Sequence, residues 1–194
     1  MAKTIGVFVE QDYQELEFWY PVYRLREAGH NVIVIGSGTS ERYLSKLGYP
    51  AEVDTEADRV NADDLDGLVI PGGWAPDFLR RHEAVNALVR ECFGEGKVVA
   101  AICHAGSVLV SAGVLAGRTV TGFASIRADL EAAGARYVDR DVVVDGNLVT
   151  SRKPDDLPSF CRELLKALEH PARKPSPAGE PRLAGRVRNG GRSK

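Results

Sequence analysis

A cysteine and a histidine stand side by side in the stretch VVAAICHAGSVLV, residues 98–110. An apolar run changes there into small residues, which is typical of a sharp strand-to-helix turn, the nucleophile elbow, whose apex side chain is exposed. Cys103 occupies the apex, where helix N–H groups and the positive end of the helix dipole favour a thiolate over a thiol. The stretch therefore predicts a nucleophilic sulfur with His104 beside it. The alternative for a cysteine at a strand end is an inert, buried thiol.

A pair of glycines follows another apolar run, in GLVIPGGWAPD, residues 67–77. Because glycine lets the backbone approach a ligand closely, N–H groups around Gly72 and Gly73 can point at that ligand. Such donors are suited to stabilise the oxyanion that forms when Cys103 attacks a carbonyl group. PGG is also a common turn, so it predicts a site only in combination with Cys103.

Four acids follow the first apolar run of the chain: Glu10, Asp12, Glu15 and Glu17. Glu17 is spaced to lie in the first turns of the predicted helix, whose start faces the same edge of the sheet as the cysteine. A carboxyl group placed there can share a proton with the sulfur, so that the two groups titrate together. The sequence does not rank the four acids, and a solvated helix face is the expected place for three of them.

Alternating strands and helices position these motifs. Continuous Val- and Ile-rich runs predict strands at residues 4–9, 31–35, 67–70 and 97–102, and helical spacing of apolar residues predicts helices at 15–28, 84–93 and 104–112. Pro21 lies inside the first helix and is expected to kink it. The alternation predicts an α/β fold with a mostly parallel sheet and helices on both faces. Ligands of such sheets bind at the carboxyl ends of the strands, where all three motifs stand.

The last third of the chain changes character. A helix is predicted at residues 125–133, a hairpin around DGN joins strands at 142–144 and 148–150, and a final helix covers 157–169. Residues 171–194 contain four prolines, seven Lys or Arg and one acid. This composition predicts a disordered, solubilising basic tail, with contact to anionic surfaces as the alternative. The sequence thus predicts a single domain over residues 1–170 followed by the tail 171–194.

Composition places the chain among ordinary globular proteins. It is 44% hydrophobic and 27% charged, and its formal net charge of -2 gives no reason to expect nucleic acid as the main ligand of the folded part. No export signal or membrane-spanning stretch is recognised, so a cytoplasmic location is expected. The three cysteines lack CxxC spacing, which fits neither a disulfide framework nor a zinc site, and no metal or cofactor is predicted. Cys92 and Cys161 are expected to be core residues.

With these motifs in order, the chain resembles the DJ-1/PfpI family, and most closely its PfpI-like branch. The resemblance runs from Lys3 to Glu169 and is carried by four segments, YQELEFWYPVYRLREAGHNV, DGLVIPGGWAPDFLR, GKVVAAICHAGSVLVSAGVLAGRTVT and VVVDGNLVTSRKPDDLPSF. It implies the flavodoxin-like three-layer sandwich that the family shares with class I glutamine amidotransferases. Glutaminase activity is not expected, because the amidotransferases need a late His-x-Glu and this chain has His170-Pro171-Ala172.

The resemblance also implies roles for particular residues. Cys103 corresponds to the family's nucleophile, His104 to the histidine that follows it, and Glu17 to the acid that hydrogen-bonds the reactive sulfur. The family's oxyanion donors are main-chain N–H groups, here those of Gly73 and His104, with Gly72 beside them.

Two further positions depart from the family's usual residues. PfpI-like proteins place an acid from a neighbouring subunit against the histidine, and Asp77 stands at that position, where the type members carry Glu. Phe123 stands where relatives often have Tyr or Trp near the pocket. The resemblance therefore implies a homodimer or a larger homo-oligomer, with a Cys-His-acid triad whose geometry a shorter acid changes.

Several functions are compatible with such a site. The resemblance implies cofactor-independent chemistry, of the glyoxalase III or deglycase type, on small carbonyl electrophiles such as methylglyoxal or on their early adducts with proteins. Peptide hydrolysis of the PfpI type needs the same nucleophile in a wider groove. A redox-sensing stress protein that acts through oxidation of Cys103 is a non-catalytic alternative. Nucleic-acid binding through the tail 171–194 is the last alternative function.

Overall fold

The computed structural model describes residues 1–170, and the tail predicted at 171–194 lies outside the described residues. Its strands are β1 (Thr4–Val9), β2 (Asn31–Gly36), β3 (Arg42–Leu44), β4 (Pro50–Glu52), β5 (Thr55–Glu56), β6 (Gly67–Ile70), β7 (Val98–Ile102), β8 (Thr119–Val120), β9 (Arg136–Tyr137), β10 (Val142–Asp145) and β11 (Leu148–Ser151). Its α-helices are α1 (Glu15–Glu27), α2 (Ala75–Leu79), α3 (Glu83–Gly94), α4 (Gly106–Ala112), α5 (Arg127–Ala132) and α6 (Leu157–Glu169).

A seven-stranded sheet forms the centre of the fold, in the order β10-β11-β7-β6-β1-β2-β5. All neighbouring strands are parallel except the hairpin partners β10 and β11, which pair antiparallel. β6 and β7 are buried along their whole length, as expected of strands covered on both faces. The predicted mostly parallel sheet and the DGN hairpin are therefore confirmed.

Helices cover both faces of this sheet and divide the core in two. Side chains of α1 and α6 pack against one face, and those of α3, α4 and α5 pack against the other. The result is the three-layer, flavodoxin-like sandwich that was predicted. None of the helices among residues 1–170 is long and apolar enough to cross a bilayer.

The structure differs from the predicted elements at short segments. The helix predicted at residues 104–112 begins as α4 at Gly106, after a single 3-10 turn over Cys103–Ala105. α1 contains Pro21 as predicted, and it ends at Glu27, one residue before the predicted end. The hairpin β3–β4, the helix α2 and the short strands β5, β8 and β9 were not predicted, because two to five residues are too few to show a period.

Candidate active site

The carboxyl ends of β1, β6 and β7 meet at one edge of the sheet, because these strands are adjacent and parallel. The segment after β1 runs alongside the glycine pair and is tied to it by two backbone hydrogen bonds. The Gln14 N–H donates to the Gly72 carbonyl at 3.1 Å, and the Trp74 N–H donates to the Asp12 carbonyl at 3.0 Å. The three motifs of the sequence therefore lie within one small region.

Cys103 stands at the apex of the turn between β7 and α4, with a φ of 64°. A residue other than glycine is strained in this left-handed region of backbone conformation, and such strain persists only where the surrounding structure enforces it. The Cys103 carbonyl accepts a hydrogen bond from the Phe123 N–H at 3.1 Å, which fixes the turn from the far side. The backbone has the geometry of a nucleophile elbow, although only 7% of Cys103 is exposed.

Glu17 is the acid of the region that reaches the sulfur. It lies in the first turn of α1, where the Gln14 side chain accepts its N–H at 2.8 Å, and it is fully buried. Its Oε2 accepts the Gly72 N–H at 2.9 Å, its Oε1 has no N–H or O–H partner, and the carboxyl group interacts with the Cys103 thiol. Burial raises the pKa of Glu17 to about 7.

The other three acids of the segment lie elsewhere, and the solvated helix face expected for them was wrong for Glu10, which is buried, and for Asp12, because both precede α1. Glu10 accepts hydrogen bonds from the Gln11 N–H and from the hydroxyl of Ser37, and the Glu15 carboxylate accepts the Leu47 N–H at 2.6 Å. The Asp12 carboxylate accepts a hydrogen bond from the side chain of its neighbour. The structure thus separates four acids that the sequence could not rank.

The expectation that the start of α4 makes Cys103 a thiolate needs correction. Burial first, and then the charge of the Glu17 carboxylate, raise the pKa of the Cys103 thiol to about 12, although the N–H groups of His104 and Gly73 lower it. The raising effect of Glu17 requires its ionised form, so it disappears when Glu17 holds a proton. The thiol and the carboxyl group therefore form one coupled pair, in which a thiolate is accompanied by a neutral Glu17.

The main-chain N–H groups of Gly73 and His104 lie near enough to the sulfur to lower the pKa of the thiol. The neighbouring Gly72 N–H is already bonded to Glu17 and is not available to a ligand. Gly73 has a φ of 85°, and a Cβ there would lie 2.5 Å from the Asp12 carbonyl oxygen. One residue of the glycine pair thus orients Glu17, and the backbone of the other approaches the Cys103 sulfur.

His104 bridges the sulfur and a serine. Its Nδ1 lies 3.3 Å from the Cys103 Sγ, and its Nε2 lies 3.1 Å from the Ser125 Oγ. Its ring stacks on Phe123, with ring centroids 4.7 Å apart. Burial and then the charge of Lys46 lower the pKa of His104, so the imidazole is neutral at physiological pH. Ser125 was missed because an isolated serine before a helix is an ordinary capping residue.

Asp77 does not hydrogen-bond His104 within one chain. Its exposed carboxylate pairs with Arg81, one helical turn further along. Asp77 and His104 nevertheless line the same cleft, of about 230 Å³, which Trp74 and Arg80 share. Phe123 lines a different cavity, of about 280 Å³, which His104 does not line. Contact between Asp77 and His104 of two different subunits remains a prediction.

No group of three or more His, Cys, Asp or Glu side chains in the described part of the chain is arranged to hold a metal ion. Cys92 and Cys161 are buried in the core, where burial raises the pKa of each thiol to about 12. The charges of Glu91 and Glu95 act on Cys92, but within residues 1–170 no carboxyl group hydrogen-bonds the thiol of Cys92 or Cys161 as Glu17 does that of Cys103. Cys103 is the cysteine with a partner for proton exchange.

The raised pKa of Glu17 leads to a stability prediction for Glu17→Gln. A carboxyl group whose pKa is about 7 when folded and 4.5 when unfolded stabilises the fold fully below pH 4.5 and loses that contribution as the pH rises through 7. The difference between these two pKa values corresponds to about 3 kcal/mol in the free energy of unfolding. We expect urea unfolding to show Glu17→Gln gaining about this much stability relative to the wild type between pH 4.5 and 8. A stability difference that stays constant with pH would contradict the assignment.

The sequence and the fold are similar to those of known proteins. A sequence model described as the DJ-1/PfpI family matches residues 3–167. Deglycase PfpI of Pyrococcus furiosus is 46% identical over 158 residues, which cover 81% of this chain and 95% of that protein. Protein/nucleic acid deglycase 2 of Escherichia coli is 40% identical over 170 residues, covering 87% and 99%. The crystal structure of Drosophila melanogaster DJ-1beta superimposes with a TM-score of 0.81 at 32% identity, covering 87% of this chain and 91% of that one.

Proposed function

Because the chain belongs to the DJ-1/PfpI family, we propose that it is a cofactor-independent enzyme that uses the Cys103 thiolate to convert small 2-oxoaldehydes, or their early adducts with proteins, to hydroxy acids. The observation that carries the proposal is the environment of the sulfur, which has a buried proton carrier on one side and two N–H donors beside it. Two relatives of this chain are named deglycases, and release of a hydroxy acid from an adduct is a reaction of this kind.

Methylglyoxal illustrates the proposed steps. The Cys103 thiol gives its proton to the Glu17 carboxylate as the sulfur adds to the aldehyde carbon, and the carbonyl oxygen takes up a proton to give a hemithioacetal. A base then removes the proton from that carbon, and a proton is returned to the neighbouring carbon. The first carbon is thereby oxidised and the second reduced, which leaves a lactoyl thioester on Cys103. Water cleaves the thioester to lactate and regenerates the thiol, so no external oxidant or reductant is consumed.

Two side chains are placed to move these protons. Glu17 has a pKa of about 7, which allows it to hold and release a proton near neutral pH. The neutral His104 has Nδ1 within 3.3 Å of the sulfur and Nε2 bonded to Ser125, so it can act as the second carrier. The N–H groups of Gly73 and His104 would bind the oxygen that gains negative charge when sulfur attacks.

The proposal is tested by incubating the wild-type protein with methylglyoxal in the absence of glutathione and measuring lactate. We expect lactate to form in proportion to enzyme concentration. A parallel incubation uses a preformed methylglyoxal adduct of N-acetyl-lysine, from which the free amine and lactate should both be released. If neither reaction occurs while casein is cleaved, the protein is a peptidase. If neither occurs and peroxide oxidises Cys103 selectively, it is a redox sensor.

A further inference from the structure

The hairpin β3–β4 brings a lysine to the mouth of the Cys103 site. Its turn contains Lys46, whose backbone N–H donates to the Tyr13 carbonyl at 3.0 Å. Tyr13 also forms isolated β-bridges to Ser45 on one side and to Gly73 on the other. The hairpin is therefore fixed by backbone contacts relative to the oxyanion donors, and Lys46 has a defined position.

The Lys46 side chain extends toward the reactive centre over an aromatic ring. Its Nζ lies 5.8 Å from the centroid of the Trp74 ring, a cation–π distance. The Trp74 ring in turn lies 5.8 Å from the His104 ring, and the His104 Nδ1 is 3.3 Å from the Cys103 Sγ. More than half of Trp74 is exposed, at 58%. Lys46 and Trp74 thus stand on the solvent side of His104, where a ligand enters.

No carboxylate of residues 1–170 lies within salt-bridge distance of Lys46. The acids of the region are engaged elsewhere: the Glu15 carboxylate accepts a hairpin N–H, Glu17 is buried, and Asp77 pairs with Arg81. The charge of Lys46 helps to lower the pKa of Glu15, and it also acts at the site, where it lowers the pKa of His104 and limits the rise in the pKa of Glu17. The Lys46 ammonium group therefore has no salt-bridge partner among residues 1–170 and can pair with an anion at the mouth of the site.

We propose that Lys46 determines substrate specificity by pairing with an anionic group, a carboxylate or a phosphate, on a substrate whose carbonyl carbon lies against Cys103. An ammonium group on a flexible stem forms charge-assisted hydrogen bonds with either anion. The preferred substrates are then aldehydes that carry such a group near the carbonyl, rather than neutral ones. This inference rests on the proposed function, since it assigns a preference to the same nucleophile.

Two alkylating reagents test the inference without requiring turnover. Iodoacetate is an anion and iodoacetamide is neutral, and with each of them the sulfur forms a bond to carbon while iodide leaves with the bonding electron pair. Peptide mass spectrometry gives the rate at which each reagent modifies Cys103. We expect Lys46→Met to lower the iodoacetate-to-iodoacetamide rate ratio about five- to tenfold. Lys46→Arg should retain the ratio, and about 1 M salt should abolish the wild-type preference.

Lys166→Met is the matched control, because Lys166 is an exposed lysine of α6 that pairs with Glu163. It should leave the rate ratio unchanged. An unchanged ratio in Lys46→Met, or equal slowing of both reagents, would overturn the inference. The proposed function fails separately: if the ratio falls as expected but wild-type protein forms no hydroxy acid from any 2-oxoaldehyde, the anion preference stands and the assigned reaction does not.

Discussion

Replacement of Cys103 by alanine is expected to lower the rate of lactate formation from methylglyoxal by about a thousandfold or more. The substitution removes the atom that forms the covalent bond, and no other nucleophile lies in its place. Cys103 is nearly buried, and the loss of one sulfur from a small side chain leaves only a small cavity. The far-ultraviolet circular dichroism and the urea midpoint of the variant should therefore stay close to those of the wild type.

Cys92→Ala provides the control for this prediction. Cys92 is a buried residue of α3, and the variant removes from the core a thiol that is not part of the site. Its activity per folded molecule should equal that of the wild type. If Cys103→Ala retained a tenth or more of the wild-type rate, the sulfur would not be the nucleophile.

Replacement of Gly72 by alanine is expected to reduce activity by about a hundredfold, the cost typical of displacing a reacting group by about 1 Å. A Cβ at this position would lie 2.4 Å from the Glu17 Oε2 and 2.7 Å from the Cys103 Cβ. Both distances are shorter than a van der Waals contact, so either the Glu17 side chain or the turn at Cys103 must move. The same crowding should lower the free energy of unfolding by about 1–3 kcal/mol.

Gly94→Ala isolates this effect from the general consequences of replacing glycine. Gly94 ends α3, and a Cβ there meets no atom within 4 Å. Its substitution should leave the rate unchanged and leave stability equal or slightly improved. Steady-state rates and urea titrations of the two variants, measured together, give the comparison. Equal activity of Gly72→Ala and Gly94→Ala would show that the Cys103–Glu17 spacing is not critical.

The layout of the site was predictable because it depends on the order of strands and on residue size. Cys103 and the glycine pair both follow buried strands, and parallel neighbours bring such positions together. Small residues around Cys103 indicate the turn, and the positive φ confirms it. These inferences need only local composition and the direction of the strands.

Other features depended on distances that no local pattern encodes. The four acids after β1 look alike in sequence, and only the path from Gln14 into α1 places Glu17 against Gly72. The pKa of Cys103 follows from burial and from Glu17, which outweigh the start of a seven-residue helix. Lys46 lies on a hairpin of three-residue strands, which are too short to predict. Ser125 was missed because nothing local marks a serine whose partner, His104, is 21 residues away.

Titration of the wild-type protein with iodoacetamide shows whether Cys103 is the nucleophile. At each stage, peptide mass spectrometry gives the alkylated fraction of each cysteine, and an assay without glutathione gives the remaining rate of lactate formation. We expect activity to fall in direct proportion to alkylation of Cys103, while the buried Cys92 and Cys161 stay unmodified. Lactate formation that persists after Cys103 is fully alkylated would contradict this expectation.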